Sequence, residues 1–193
     1  MIYQSVGKRI FDLVAALIAG IFFFPFIVIG YLLVRLSSPG PGFFVQERLG
    51  YKGRMFRVYK LRTMQVRPDR EITQTTNADP EVFFVGKVLR RLKIDELPQI
   101  FNVIKGDMSI VGPRPGLPRM ASEMPAWAKA RLEVRPGLTG LAQVNGNIAL
   151  SWEERWKYDV KYIAELSLVN DLCIIMRTML VIFAGESRFR KAP

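Results

Sequence analysis

No histidine occurs anywhere in the 193 residues. That absence removes Ser-His-Asp and Cys-His nucleophile systems, histidine metal sites and the usual base that titrates near neutral pH. A single cysteine, Cys173, is present, so neither an intrachain disulfide nor a thiolate zinc cluster can form. Any metal must therefore be held by oxygen ligands, which points to magnesium or its relatives. Acidic residues are also few, 17 against 28 Lys and Arg, for a net charge of +11. Such an excess calls for anionic partners: nucleic acid, an anionic membrane surface or phosphorylated small molecules. Charge alone does not choose among them. Internal repeats and low-complexity tracts are absent too, and the length suits one compact domain with an appendage.

What the chain does contain is a long apolar run, "LVAALIAGIFFFPFIVIGYLLV", residues 13–34. Its 22 uncharged residues would make a helix roughly 33 Å long, enough to cross a hydrocarbon core. It is too long for a cleaved signal peptide, and "LSSPGPG" offers no small-residue cleavage pattern. Two features oppose a plain span. Pro25 falls near the middle, where it removes a backbone donor and kinks a helix. Both flanks are basic, with Lys8 and Arg9 before the run and Arg35, Arg48, Lys52 and Arg54 after it. If basic flanks stay on the cytoplasmic side, both ends belong to the same face. A helix-break-helix hairpin that dips in and returns satisfies this; a single-pass anchor is the alternative.

Beyond residue 37 the pattern changes to that of a small α+β, mostly helical unit. "FFVQER" and "MFRVYKLRTM" around "LGYKG" read as a β-hairpin. Residues 65–79 read as a polar surface loop. "ADPEVFFVGKVLRRLKI" opens on Asp-Pro and places Val82, Val85, Val88, Leu89 and Leu92 at helical spacing. In "DELPQIFNVIKG" the apolar face is Leu97, Ile100, Phe101 and Ile104, with Gly106 as the stop. "SIVG" reads as a short strand. In "GPRP" (112–115), Pro113 and Pro115 hold Arg114 on a restricted, extended segment. The turn-rich "VRPGLTGLAQVNGN" offers Gln143 and Asn145 for polar contacts. Ser151 and Glu154 form a capping box. The apolar stretch 172–185 is too short to span, and it reads as a core or interfacial helix.

The chemistry concentrates in "KIDELPQ". Pro98 is tolerated in a first helical turn, which puts Asp95 at or near an N-cap and Glu96 just inside. Helix capping is one reading of these acids. The other is a division of labour, in which one carboxylate attacks and its neighbour holds a metal. Adjacent residues do not face each other on a helix, so the pair is not the opposed carboxylates of a glycosidase. Arg90, Arg91 and Arg114 are cations of the kind a diphosphate in its transition state requires.

"SPGPGFFVQERLG", "FRVYKLRTM", "LKIDELPQIFNVIKGDMSIVGPRP" and "RPGLTGLAQVNG", in this order after a proline-broken apolar segment, resemble the bacterial sugar transferase family. The compact length is similar to its small, PglC-like monotopic phosphoglycosyl transferases. The resemblance implies transfer of a sugar-1-phosphate from a UDP-sugar to a polyprenyl phosphate such as undecaprenyl phosphate, with UMP released. It implies a ping-pong scheme in which Asp95 attacks the sugar-linked phosphate and Glu96 helps bind Mg2+. By the same resemblance, Arg90 is expected to contact phosphate, Lys60 falls on a basic substrate-site position, and Pro113 and Arg114 are expected near the nucleotide. The apolar segment would be re-entrant with its break at Pro25, so residues 1–36 form the membrane helix and 37–193 the cytosolic, membrane-associated catalytic domain. The expected setting is the bacterial inner membrane, with phospholipid as a partner and no nucleic acid. The chain departs from the family at Phe24, Lys93, Leu141 and Asn147, the last three bearing on substrate preference. Two rivals remain: a membrane-anchored basic nucleic-acid-binding protein and a non-catalytic adaptor.

Overall fold

A computed structural model describes residues 3–66 and 79–184. Tyr3–Gly7 is one turn of π-helix leading into α1, Lys8–Ser37. Pro25 lies inside this one helical element, and the chain is not divided there into two separate helices. The buried positions of α1 are Asp12, Ala16, Ile27, Gly30 and Val34, while Gly20 faces Ile100 and Ile104. Their spacing of three, four and seven residues draws one stripe along the helix. The other faces stay bare: Ile18, Ile21, Phe22, Phe24, Ile29 and Leu36 are all exposed.

The buried stripe is gripped at both ends by the same globular body. Near the start, Arg9 donates to the carbonyls of Val103 and Ile104 at 2.6 and 2.9 Å. Buried Asp12 accepts from Ser109 and from the Ile110 amide, and Lys8 bridges Asp12 to Asp171. At the far end, Arg62 donates to the Ser38 hydroxyl and carbonyl and to Pro41.

The expected hairpin is present as β1 (Phe43–Leu49) and β2 (Met55–Leu61), antiparallel from Phe43↔Leu61 to Leu49↔Met55. Lys52 takes a left-handed conformation in the connection. Residues 67–78, most of the expected polar loop, lie outside the described residues. α2 is Phe84–Arg91 and starts later than its Asp-Pro signal. The reason is local: Asp79 folds back on Glu81, and residues 64–65 pair with 81–82, which holds that stretch extended. α3, Ile100–Lys105, ends on left-handed Gly106 as its sequence requires. Fully buried Asn102 pins α3 to β2, donating to Arg57 O and accepting from Tyr59 N.

β3 (Ser109–Val111) and β4 (Gly137–Thr139) form a second, parallel pair. α4 (Met120–Glu123) and a 3-10 stretch, Ala126–Glu133, follow the "GPRP" segment. α5, Trp152–Ala164, begins at the expected capping box, with both reciprocal bonds made. α6, Leu168–Ala184, buries Asp171, Ile174 and Val181 and leaves Val169, Met176, Leu180 and Phe183 exposed. Helices thus dominate, and the core is several small clusters, three of them including hairpin residues and one joining β3 to α5 and α6.

Candidate active site

The acidic pair does not cap an α-helix. It lies in a 3-10 turn, Ile94–Gln99, that precedes α3 and holds Pro98 inside it. The residue at the cap position is Lys93, left-handed at φ 57, with no side-chain capping bond. The expectation of Asp95 as N-cap is therefore corrected. The tighter turn and the reversed backbone at Lys93 free both carboxylates from capping and turn them inward. A non-glycine residue held left-handed stores strain that the surroundings must stabilise.

Glu96 is the hub. Its Oε1 accepts from Lys60 Nζ at 2.7 Å and from Arg114 Nη2 at 2.6 Å, and Oε2 faces Arg114 Nη1 at 3.3 Å. Burial by itself would raise its pKa, but Arg114 and Lys60 hold the carboxyl well below its usual range. Lys60, from β2, is drawn down by the same burial, and Glu96 offsets part of that. Asp95 differs from its neighbour in its partners and in the net direction of its shift. It is buried, its Oδ1 has no hydrogen-bond partner among the described residues, and burial together with the Glu96 charge pushes its pKa up to about 6. Lys60, Arg90 and Lys93 oppose that rise.

Arg90, at the end of α2, donates to Thr63 Oγ1 at 2.8 Å. Close packing of α2 on residue 63 permits this: a Cβ on Gly86 would collide with the Thr63 backbone. Arg114 is steadied from behind. Arg131 Nη2 donates to Arg114 O at 2.6 Å, and Arg131 Nε to Asp159 of α5 at 2.8 Å, both partners buried. Burial raises the Asp159 pKa to about 6 even beside Arg131. A narrow cleft opens next to Arg114, lined by Leu49, Gly50, Pro113, Pro115, Arg131 and Pro136 among others.

The fold therefore brings Lys60, Glu96 and Arg114 into one network, with Asp95 and Arg90 beside it and Pro113 on the cleft. It does not bring in Gln143 and Asn145. Asn145 donates to Leu141 O and accepts from Arg177 of α6, and Gln143 donates to Leu138 O. Asn145 holds the turn against α6, and Gln143 ties it back to β4. Residue-level reading passed over Thr63, Arg131 and Asp159. It also passed over Arg48 of β1, which lies beside Pro115 O at 3.4 Å. For Arg48 a signal existed, because period-two alternation in the hairpin puts it on the same face as Lys60.

Magnesium is compatible with these residues. Among the described residues no three His, Cys, Asp or Glu gather as a cage, but magnesium takes one or two carboxylates when phosphate and water complete its shell. Glu96 Oε2, with only its longer contact, is the oxygen available for it.

The family model described as bacterial sugar transferase matches residues 3–185. A UDP-glucose:undecaprenyl-phosphate glucose-1-phosphate transferase of Caulobacter vibrioides is 42% identical over 185 residues, covering 91% of this chain and 69% of its own length. The exopolysaccharide production protein ExoY of Rhizobium meliloti is 36% identical over 191 residues, covering 91% of this chain and 84% of its own. A UDP-N-acetylgalactosamine-undecaprenyl-phosphate N-acetylgalactosaminephosphotransferase of Aeromonas hydrophila is 41% identical over 186 residues, covering 92% of this chain and 44% of its own.

Proposed function

We propose that this chain, which belongs to the bacterial sugar transferase family, moves a sugar-1-phosphate from a UDP-sugar to a polyprenyl phosphate. The observation that carries the reading is the contrast inside the acidic pair. Glu96 is committed to two cations, whereas Asp95 Oδ1 is buried without a partner. A bare carboxylate oxygen among cations is a nucleophile in waiting, and its raised pKa marks a group kept reactive rather than paired off. The names of the relatives support the substrates, since two of them act between UDP-sugars and undecaprenyl phosphate.

The transfer then runs in two displacements. An Asp95 oxygen bonds to the phosphorus that carries the sugar, the bridging phosphoanhydride bond breaks, and UMP leaves with the electron pair. An oxygen of the polyprenyl phosphate next bonds to the same phosphorus, and the aspartyl-phosphorus bond breaks to restore Asp95. Lys60, Arg90 and Arg114 balance charge on the phosphoryl oxygens, and Glu96 keeps Lys60 and Arg114 in place. Magnesium held by Glu96 would supply further charge neutralisation at the diphosphate.

The acceptor is a lipid, so the site has to sit at the headgroup level. We read α1 as a re-entrant anchor whose two ends share one face, with the body on the cytoplasmic side of the inner membrane. A straight span of 30 residues would separate its ends by roughly 45 Å, yet Arg9 and Ser38 both bond to the same globular body. The exposed apolar faces of α1 and α6 suit the acyl region.

The test is UMP release from a panel of UDP-sugars by protein in detergent or nanodiscs, with undecaprenyl phosphate and Mg2+. Labelled sugar-phosphate should stay on the protein when acceptor is withheld, and Asp95→Asn should abolish that capture. No UMP release with any sugar overturns the reaction; capture surviving in Asp95→Asn removes Asp95 as the covalent station.

A further inference from the structure

We propose that Gln46 and Arg48 of β1 form a subsite for the nucleotide-side phosphate of the donor, the phosphate that departs in UMP. The assignment rests on the transfer reading above.

Phe44, Gln46 and Arg48 alternate onto one face of β1, opposite Lys60, Val58 and Phe56 of β2. Val58 packs against Ile100 and Val103 of α3, so this face is turned toward the acidic pair. The end of β1 is tied to the "GPRP" segment, with the Leu49 amide donating to Gly116 O at 2.9 Å and Arg48 Nη1 beside Pro115 O. Arg48 therefore stands alongside Arg114. Its Nη2 donates to Gln46 Oε1, and among the described residues no carboxylate lies within ion-pair distance of it. Gln46 is 9% exposed, and its Nε2 is a buried donor with no acceptor among the described residues.

A guanidinium without a carboxylate and an amide without an acceptor, joined to each other, are incomplete alone. Buried donors of this kind are costly unless something supplies oxygen, and a phosphate supplies it in abundance. Burial and the neighbouring Arg114 charge push the Arg48 pKa down to about 10, and Glu96 opposes this. The group remains cationic at neutral pH, in a place where added negative charge is favourable.

Donor and acceptor both carry phosphate, so chemistry alone does not separate them; position does. Arg48 adjoins Leu49 and Gly50, which line the narrow cleft with Pro113, Arg114, Pro115, Arg131 and Pro136, on the side of the site away from α1. At the other end of β1, Phe43 stacks on Tyr31 of α1 with ring centroids 5.1 Å apart. Five residues of strand put Arg48 roughly 17 Å from that anchor. The lipid phosphate belongs nearer α1.

Arg48→Gln removes the charge, Gln46→Leu removes the amide donor at similar volume, and Arg48→Lys keeps charge without the fork. UMP affinity is measured by calorimetry without turnover, and KM for UDP-sugar and for undecaprenyl phosphate are measured separately. Arg48→Gln should weaken UMP binding and raise the UDP-sugar KM by about tenfold, the scale of a charge-assisted hydrogen bond. Gln46→Leu should do so by about threefold, with Arg48→Lys intermediate, and the undecaprenyl phosphate KM should stay within about twofold throughout. UMP affinity unchanged in folded Arg48→Lys and Gln46→Leu overturns the proposal even if Arg48→Gln does not fold. An effect confined to the undecaprenyl phosphate KM also overturns it. Wild-type UMP release is the separate control: its absence sinks the transfer reading, whereas its presence with unaffected variants sinks only this subsite.

Discussion

In the mechanism proposed above, Asp95 answers to two opposed demands. Attack on phosphorus requires the ionised carboxylate, yet burial and the Glu96 charge favour the protonated form and place its pKa near 6. Donor kcat/KM in the free enzyme should therefore fall about tenfold per pH unit below pH 6 and level off above pH 7. A profile flat to pH 4.5 would separate Asp95 from the chemistry. The same shift has a stability consequence of definite sign. An acid whose folded pKa is raised above its unfolded value binds more protons when folded, so stability declines as pH climbs from about 4 to about 6. The shift corresponds to about 3 kcal/mol at most. Asp95→Asn removes the buried charge and should raise the Tm in detergent at pH 7.5, with no gain at pH 4, while turnover is lost. An active site that destabilises its own fold is the usual cost of keeping a reactive group unpaired.

The elements around the pair are held by close contacts more than by large hydrophobic area. α2 reaches Thr63 only because position 86 has no side chain, and Arg90 reaches Thr63 Oγ1 from that helix. Gly86→Ala puts a Cβ on a backbone carbonyl, which cannot rotate away as a side chain would. α2 must then shift, at a cost of about 1–3 kcal/mol. The expected result is a lower denaturation midpoint together with a drop in UMP release that added donor does not restore. Wild-type values for both would mean that α2 slides without disturbing Arg90. The helix containing Asp159 acts at longer range: α5 holds Arg131, which holds the Arg114 carbonyl.

At the scale of the molecule, the question is which side of the bilayer each part occupies. Gln4 bonds to Leu166 O, between α5 and α6, so the start of the chain lies on the globular body. A single cysteine at position 4, in a Cys173→Ser background, should resist a membrane-impermeant maleimide in intact spheroplasts and react after lysis. Efficient labelling before lysis would establish a single pass and separate the two ends of α1. Exposed apolar residues on α1 and α6 are on this account lipid-facing surface, which explains a chain with so basic a balance and so much bare Ile, Leu and Phe.

Local rules reach some of this unaided. Alternation and turn residues predict the hairpin, Gly106 ends α3, Ser151 and Glu154 open α5, and the missing histidines confine the chemistry to carboxylates and cations. These depend on neighbours within a few positions, where sequence and conformation are directly coupled. The motifs also single out Lys60, Asp95, Glu96 and Arg114 as candidates. Only the folded chain decided how they pair: Lys60 and Arg114 converge on Glu96 across 36 and 18 residues, and Asp95 is left bare. It also turned the expected helix cap into a 3-10 turn, kept Asn145 for Arg177, and set Arg48 beside Arg114. Such outcomes follow from which segments close on one another, and burial then fixes which charges must share a partner and which go without.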